Sequence, residues 1–153
     1  MNPFLLNIIK KTQTLESTPS NAPIIVSSIE KVQNYINENR EQEGKDDALA
    51  GAITIEEGVN AIKEKVKQLC DKEIKGIERE LIGVDEQITT FEDLGHTVNA
   101  AECKIHKKQK EEEIKQIKEK MGDINENLPI VASYKKGFKE GEVIKIKAML
   151  TKK

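Results

Sequence analysis

The chain has 153 residues, of which 34% are charged and only 3% are aromatic, and it contains no tryptophan. This length fits one domain, and so few aromatic residues argue against a compact enzyme with a large core. High charge combined with regular apolar spacing indicates elongated helices rather than a disordered chain.

The net charge of −2 is unevenly distributed. Residues 1–15 carry +2 and residues 134–153 carry +5, so residues 16–133 carry −9. An acidic body with basic ends is typical of a protein that contacts an acidic partner or a second copy of itself. No apolar run approaches the roughly 18 residues needed to cross a bilayer, and the N-terminal apolar stretch is too short for a secretory signal. We therefore expect an intracellular protein, cytoplasmic or within a virion or other intracellular assembly.

The N-terminal residues 1–15 are predicted to form an amphipathic arm. Its apolar residues are Phe4, Leu5, Ile8 and Ile9. Three placements are open: the arm packs on its own domain, inserts into a groove of a partner, or lies on a membrane surface. Its short, weakly basic polar face makes the membrane the least favoured of the three.

A linker with two prolines is predicted at residues 16–27, before a single helical domain at residues 28–153. Ser27 lies three residues before a glutamate, which is the spacing of a helix-capping box. A helix is expected to follow over residues 28–40 because apolar side chains recur there three and four residues apart. Residues 41–47 are polar and are predicted to form a loop.

The strongest pattern is a long run of apolar residues three or four positions apart, preceded by a capping box at Thr54 and Glu57. The run consists of Val59, Ile62, Val66, Cys70, Ile74, Ile77, Leu81, Val84, Ile88 and Phe91. A second run consists of Ile114, Ile117, Met121, Ile124 and Leu128. A short break lies between them. The sequence therefore predicts a long antiparallel, coiled-coil-like hairpin of helices 54–93 and 97–128, with an apolar seam between them.

The half of the hairpin near the turn is expected to be loosely packed, or completed by another chain. Val98, Ala101 and Ile105 are predicted to lie on the seam, but residues 107–113 contain no apolar side chain. The seam is therefore expected to change phase, and a turn centred on the break places this polar run opposite residues 79–85.

A second surface is predicted on the first hairpin helix. Gly76 and Gly83 are seven residues apart and share a face away from the seam, and Ile82 also lies off the seam. Either the glycines are tolerated there, or they let another helix approach closely.

The C-terminal segment is basic and ambiguous in structure. Residues 142–148 alternate as in a strand, whereas the spacing over the whole segment favours a helix. Its lysines are candidate contacts for a partner. They are Lys135, Lys136, Lys139, Lys145 and Lys147.

Chemical motifs are weak throughout the chain. Cys103 and His106 lie one helical turn apart, but a zinc site needs further ligands, and Cys70 is predicted to lie opposite Met121, far from Cys103. The same pair lacks the third group and the cleft that a catalytic Cys–His couple requires. We therefore predict no catalytic residue, no cofactor and no metal.

The sequence thus predicts an all-α fold and a non-enzymatic assembly or adaptor protein. It is expected to act through helix–helix contacts with a protein partner or with itself, for example as a structural subunit of a virion or scaffold. The candidate contact residues are the apolar residues of the N-terminal arm, Ile82 and the five C-terminal lysines. The less favoured alternative is a nucleic-acid-associated accessory protein that binds through residues 134–153. Sparse aromatic residues and the acidic body argue against it.

Overall fold

A computed structural model describes residues 26–151, and the predicted N-terminal arm (Phe4, Leu5, Ile8 and Ile9) lies outside them. The helices in this range are α1 (Ser28–Ile36), α2 (Glu41–Ala50), α3 (Ile55–Asp93), α4 (Thr97–Gly122) and α5 (Pro129–Thr151). No strand occurs within the described range. The predicted all-α fold is therefore confirmed, and the ambiguous C-terminal segment is a helix.

Helices α3 and α4 form the predicted antiparallel hairpin. The capping box is present, because the Thr54 hydroxyl accepts from the Glu57 N–H at 3.2 Å and the Glu57 carboxylate accepts from the Thr54 N–H at 3.2 Å. Gly95 has a φ of 75° in the turn, a conformation that glycine adopts without steric cost. The capping box thus fixes the start of α3, and Gly95 permits the turn between α3 and α4.

The main core lies at the base of the hairpin, away from the turn. Every seam residue of α3 from Val59 to Ile77 is buried there, as is Ile117 of α4. Val32 from α1 and Ile130 from α5 complete this core and are fully buried. The base of the hairpin is therefore firmly packed.

The predicted seam of α4 near the turn is wrong. Val98 is 70% exposed and Ile105 is 59% exposed, and Ala101 is exposed as well. Ala100 and Cys103 are buried instead.

The seam of α4 keeps one regular spacing along the helix rather than changing phase. Its residues are Ala100, Cys103, Lys107, Lys110, Ile114, Ile117 and Met121. Lys107 and Lys110 lie at seam positions, and their amino groups pair with acids on the facing helix, Asp85 at 2.8 Å and Glu80 at 3.3 Å. These pairs confirm the predicted register of the polar run.

Two predicted helix boundaries are also wrong. Helix α4 ends at Gly122 rather than at residue 128, and Pro129 is the first residue of α5, where its missing N–H costs nothing. The first helix ends at Ile36 rather than at residue 40.

The predicted polar loop at residues 41–47 is the first part of α2. The Asn39 side chain accepts from the Glu41 N–H at 2.8 Å at the start of this helix. Its apolar pattern is weak because Gly44 and Ala48 make the buried contact in place of large side chains.

Candidate partner-binding surface

Helix α5 is held by an unusually close contact with α2. A Cβ atom on Gly137 would overlap the carbonyl group of Glu41, and one on Gly44 would overlap the carbonyl oxygen of Tyr134. Gly141 lies in the same way against Lys45. From Glu41 with Gly137, through Lys45 with Gly141, to Ala48 with Lys145, the contacts advance together along both helices, so α2 and α5 run parallel. Small residues let the two backbones meet, much as small residues spaced four apart do at other helix interfaces.

Tyr134 fixes the rotation of α5 about its own axis. Its side chain is 1% exposed, lies against Gly58 of α3, and donates a hydrogen bond to Asp47 Oδ2 at 2.8 Å. Burial, followed by the interaction with Asp47, raises the pKa of the Tyr134 hydroxyl well above its usual value. One face of α5 is therefore committed to α2 and α3.

The opposite face of α5 carries an exposed row of side chains, which we call the outer α5 stripe. The stripe consists of Lys136, Lys139, Val143, Ile146 and Leu150. Val143 is 49% exposed, Ile146 is 57% exposed and Leu150 is 63% exposed. Ile144 and Met149 beside them are exposed as well. From Glu142 to Thr151 every described residue of α5 is exposed, so this part of the helix extends beyond the core.

The five lysines predicted as partner contacts do not form one basic face. Lys135 pairs with Glu126 at 3.0 Å, and Lys145 donates to the carbonyl oxygen of Ala48 at 3.4 Å on the inner side of the helix. Lys136 lies 3.8 Å from a Glu41 carboxylate oxygen but remains largely exposed.

The remaining two lysines, Lys139 and Lys147, are also exposed. Lys136 and Lys139 border a shallow depression with Val143 and Ile144, so basic and apolar groups share this surface.

The second predicted surface, around Ile82, lies far from α5. Ile82 is 62% exposed, and a Cβ atom on Gly76 or Gly83 would meet no atom of the described chain within 4 Å. Ile82 is 24 residues beyond Gly58, the point where α3 meets α5, which corresponds to roughly 36 Å along the helix. The structure therefore keeps these two candidate surfaces apart.

Cys103 is buried and His106 is partly buried, so neither residue lies on a fully solvated helix face. Cys103 is buried on the seam with its Sγ 3.9 Å from Gln87 Oε1, and burial raises the pKa of its thiol. Burial, with a smaller effect of Lys110, lowers the pKa of His106. Cys70 is fully buried in the core, as predicted. Within residues 26–151, no three or more His, Cys, Asp and Glu side chains are grouped so as to hold a metal ion.

Sequence reasoning did not identify the apolar members of the outer α5 stripe. The signal was present, because Val143, Ile146 and Leu150 continue the spacing of Lys136 and Lys139. The strand-like alternation of residues 142–148 obscured it.

The described part of the chain contains no helix that is both long and apolar enough to cross a membrane. Comparisons with the models of known protein families, with curated proteins and with solved structures found no match.

Proposed function

We propose that this chain is a non-enzymatic helical adaptor or assembly protein that binds a protein partner through the exposed end of α5. The observation that carries the proposal is the outer α5 stripe, whose apolar side chains lie on a helix that extends past the core. Ordered apolar side chains clustered on one helix face are typical of a surface that another helix covers.

The way α5 is mounted supports this role. The close α2–α5 contact and the buried Tyr134 hydroxyl hold the helix in one orientation. A rigid presenting helix loses little conformational entropy when it binds, which favours affinity. In this proposal the α3–α4 hairpin acts as a spacer, and α5 makes the contact with the partner. Such a part suits a subunit of a larger complex, such as a virion or a scaffold.

An intracellular location is part of the proposal. Cys70 and Cys103 are free thiols in the structure, and both are buried. Free thiols are usual for proteins of reducing compartments.

Nucleic-acid binding through residues 134–153 has less support. Lys135 and Lys145 contact groups of the chain itself, and five large exposed apolar residues, from Val143 to Leu150, interrupt the remaining described lysines of the segment. A phosphate-binding tail would instead display a continuous set of lysines.

The proposal can be tested by using the purified chain to capture binding proteins from a lysate of its native cells. The wild-type chain is compared with an Ile146→Asp, Leu150→Asp double variant, and with Ile105→Asp as a matched change at an exposed isoleucine outside α5. We expect the wild-type chain to capture a stoichiometric protein partner, and the complex should persist in about 0.3 M salt. The double variant should not capture this partner, whereas the control variant should. The purified partner should bind the wild-type chain again. A partner retained by the double variant, or replaced by nucleic acid that dissociates in salt, contradicts the proposal.

A further inference from the structure

The outer α5 stripe repeats the pattern of a helix face whose partner is visible in the structure. Residues 107–121 of α4 and residues 136–150 of α5 align without a gap. Lys107, Lys110, Glu111, Glu113, Ile117 and Lys118 recur as Lys136, Lys139, Glu140, Glu142, Ile146 and Lys147. Ile114 and Met121 are replaced by Val143 and Leu150, which are similar in character. Each segment thus carries two lysines followed by three apolar residues on one face.

In α4 this face packs on α3, and the structure shows which residues of α3 it contacts. The apolar residues of the α4 segment meet the buried seam of α3. The two lysines meet acids further along the same helix, with Lys107 Nζ 2.8 Å from Asp85 and Lys110 Nζ 3.3 Å from Glu80. The partner of such a face is therefore an antiparallel helix that is apolar first and acidic towards its C-terminal end.

We propose, as an extension of the proposed function, that the outer α5 stripe binds an acidic amphipathic helix of another protein in the manner in which α4 binds α3. Val143, Ile146 and Leu150 cover the apolar face of that helix. Lys136 and Lys139 pair with carboxylates that follow the apolar face, at the positions that Asp85 and Glu80 hold relative to α4.

Other occupants fit this stripe less well. A second copy of α5 packed antiparallel would place Leu150 and Ile146, rather than carboxylates, opposite Lys136 and Lys139. Residues 1–15 contain two lysines and no acid, so they lack the carboxylates that the stripe requires. The α3 seam of the same molecule is already covered by α4. None of these segments supplies an apolar face followed by carboxylates, and we therefore assign the stripe to an acidic helix from another protein.

A peptide copy of α3 is a direct probe of this site. The peptide spans residues 66–88, which face the α4 segment, and carries Gly76→Ala and Gly83→Ala to favour helix formation. Both glycines face open space in the protein, so these changes leave the seam unaltered. Fluorescence anisotropy of the labelled peptide measures its binding to the full-length chain.

The expected result is saturable binding that Ile146→Asp weakens at least about tenfold, since an aspartate would be buried in the new interface. The matched Ile105→Asp variant should bind as the wild type does. A peptide with Glu80→Lys and Asp85→Lys should bind poorly to the wild type and regain binding to a Lys136→Glu, Lys139→Glu variant. Recovery of binding after this charge swap would show that the peptide acids pair with Lys136 and Lys139, and that binding does not depend on net charge alone.

Absence of peptide binding up to about 1 mM, or binding that Ile146→Asp leaves unchanged, overturns the inference. Binding that follows only net charge, with no rescue by the swap, overturns it as well. If the peptide does not bind but capture of a partner still depends on Ile146, the adaptor proposal stands. Only the inference that the partner is an acidic helix is then overturned. Loss of that dependence in the capture experiment removes the adaptor proposal itself.

Discussion

The hydroxyl of Tyr134 donates to Asp47 Oδ2 at 2.8 Å, joining α5 to α2 across 87 positions of the sequence. The phenol ring is buried, while the Asp47 carboxylate remains partly accessible to water. A carboxylate oxygen is a strong acceptor for this hydroxyl inside the fold. The contact therefore links the orientation of α5 to the stability of the whole protein.

Replacing Tyr134 with phenylalanine should lower the free energy of unfolding by about 2 kcal/mol at neutral pH. The cause is loss of a charge-assisted hydrogen bond with little change in packing. Urea denaturation followed by circular dichroism measures this change. The Tyr35→Phe variant is a suitable comparison because Tyr35 is only partly buried. Equal stability of Tyr134→Phe and wild type would show that the hydrogen bond contributes nothing.

The same tyrosine should make stability fall in alkaline solution. Its pKa is raised above the usual 10.0, so above pH 10 the unfolded chain loses the phenolic proton while the folded chain keeps it. Deprotonation then favours unfolding, and this contribution, present in full below pH 10, declines by up to about 1.4 kcal/mol for each further pH unit. Urea denaturation between pH 9 and 11 should show a steeper decline for wild type than for Tyr134→Phe. Parallel declines would contradict the assignment.

Gly137 and Gly76 should respond in opposite directions to alanine. Gly137→Ala forces a Cβ atom into the Glu41 carbonyl group, which should cost about 2–3 kcal/mol as α2 and α5 separate. Gly76→Ala meets no atom within 4 Å in the middle of α3 and should stabilise the protein by about 1 kcal/mol. Thermal unfolding of the two variants side by side tests both signs. A stabilised Gly137→Ala protein would mean that α2 does not pack closely on α5.

The hairpin could be predicted from the sequence because its information is local and repeated. The spacing from Val59 to Phe91 and the capping box at Thr54 specify a long helix whatever surrounds it. Helix α2 could not be found in this way. Its contact surface is Gly44 and Ala48, and small residues give no apolar signal until the opposing glycines of α5 are known.

The candidate site shows a similar division. Its lysines were identified from composition, but which of them face outward depends on the rotation of α5, and that rotation is set by Tyr134 and Gly137. The α4 seam near the turn could not be located from apolar spacing, because Lys107 and Lys110 occupy two of its positions. Long lysine stems can occupy seam positions when acids on the facing helix hold their amino groups, and this requires knowledge of the register.

Because Ile77 lies in the core, replacing it with a charged residue should strongly lower the stability of the protein. Ile77 is 1% exposed at the centre of the hairpin seam, so Ile77→Asp should destabilise the protein by more than about 3 kcal/mol by burying an unpaired charge. The neighbouring Glu78 is exposed, and Glu78→Asp should change stability by less than about 0.5 kcal/mol. Denaturant midpoints measure both. Similar losses in the two variants would indicate that α3 is rotated from the orientation described.

The two buried thiols should report on the two halves of the hairpin separately. Burial raises the pKa of both Cys70 and Cys103, which keeps them protonated and slow to alkylate in the folded state. Cys70 belongs to the main core, whereas Cys103 lies nearer the turn, outside that core, beside a seam that contains Lys107 and Lys110. Local opening should therefore be easier at Cys103, because fewer apolar contacts must be broken there.

Alkylation with iodoacetamide at pH 8, followed by mass spectrometry of the peptides, measures both thiols in one sample. We expect Cys103 to react several times faster than Cys70. Low urea concentrations should leave the ratio of the two rates above one until global unfolding removes the difference. Replacing Lys107 with leucine should slow Cys103 selectively, because an apolar side chain completes the seam beside it. Equal rates at both thiols would mean that the hairpin opens only as a single unit.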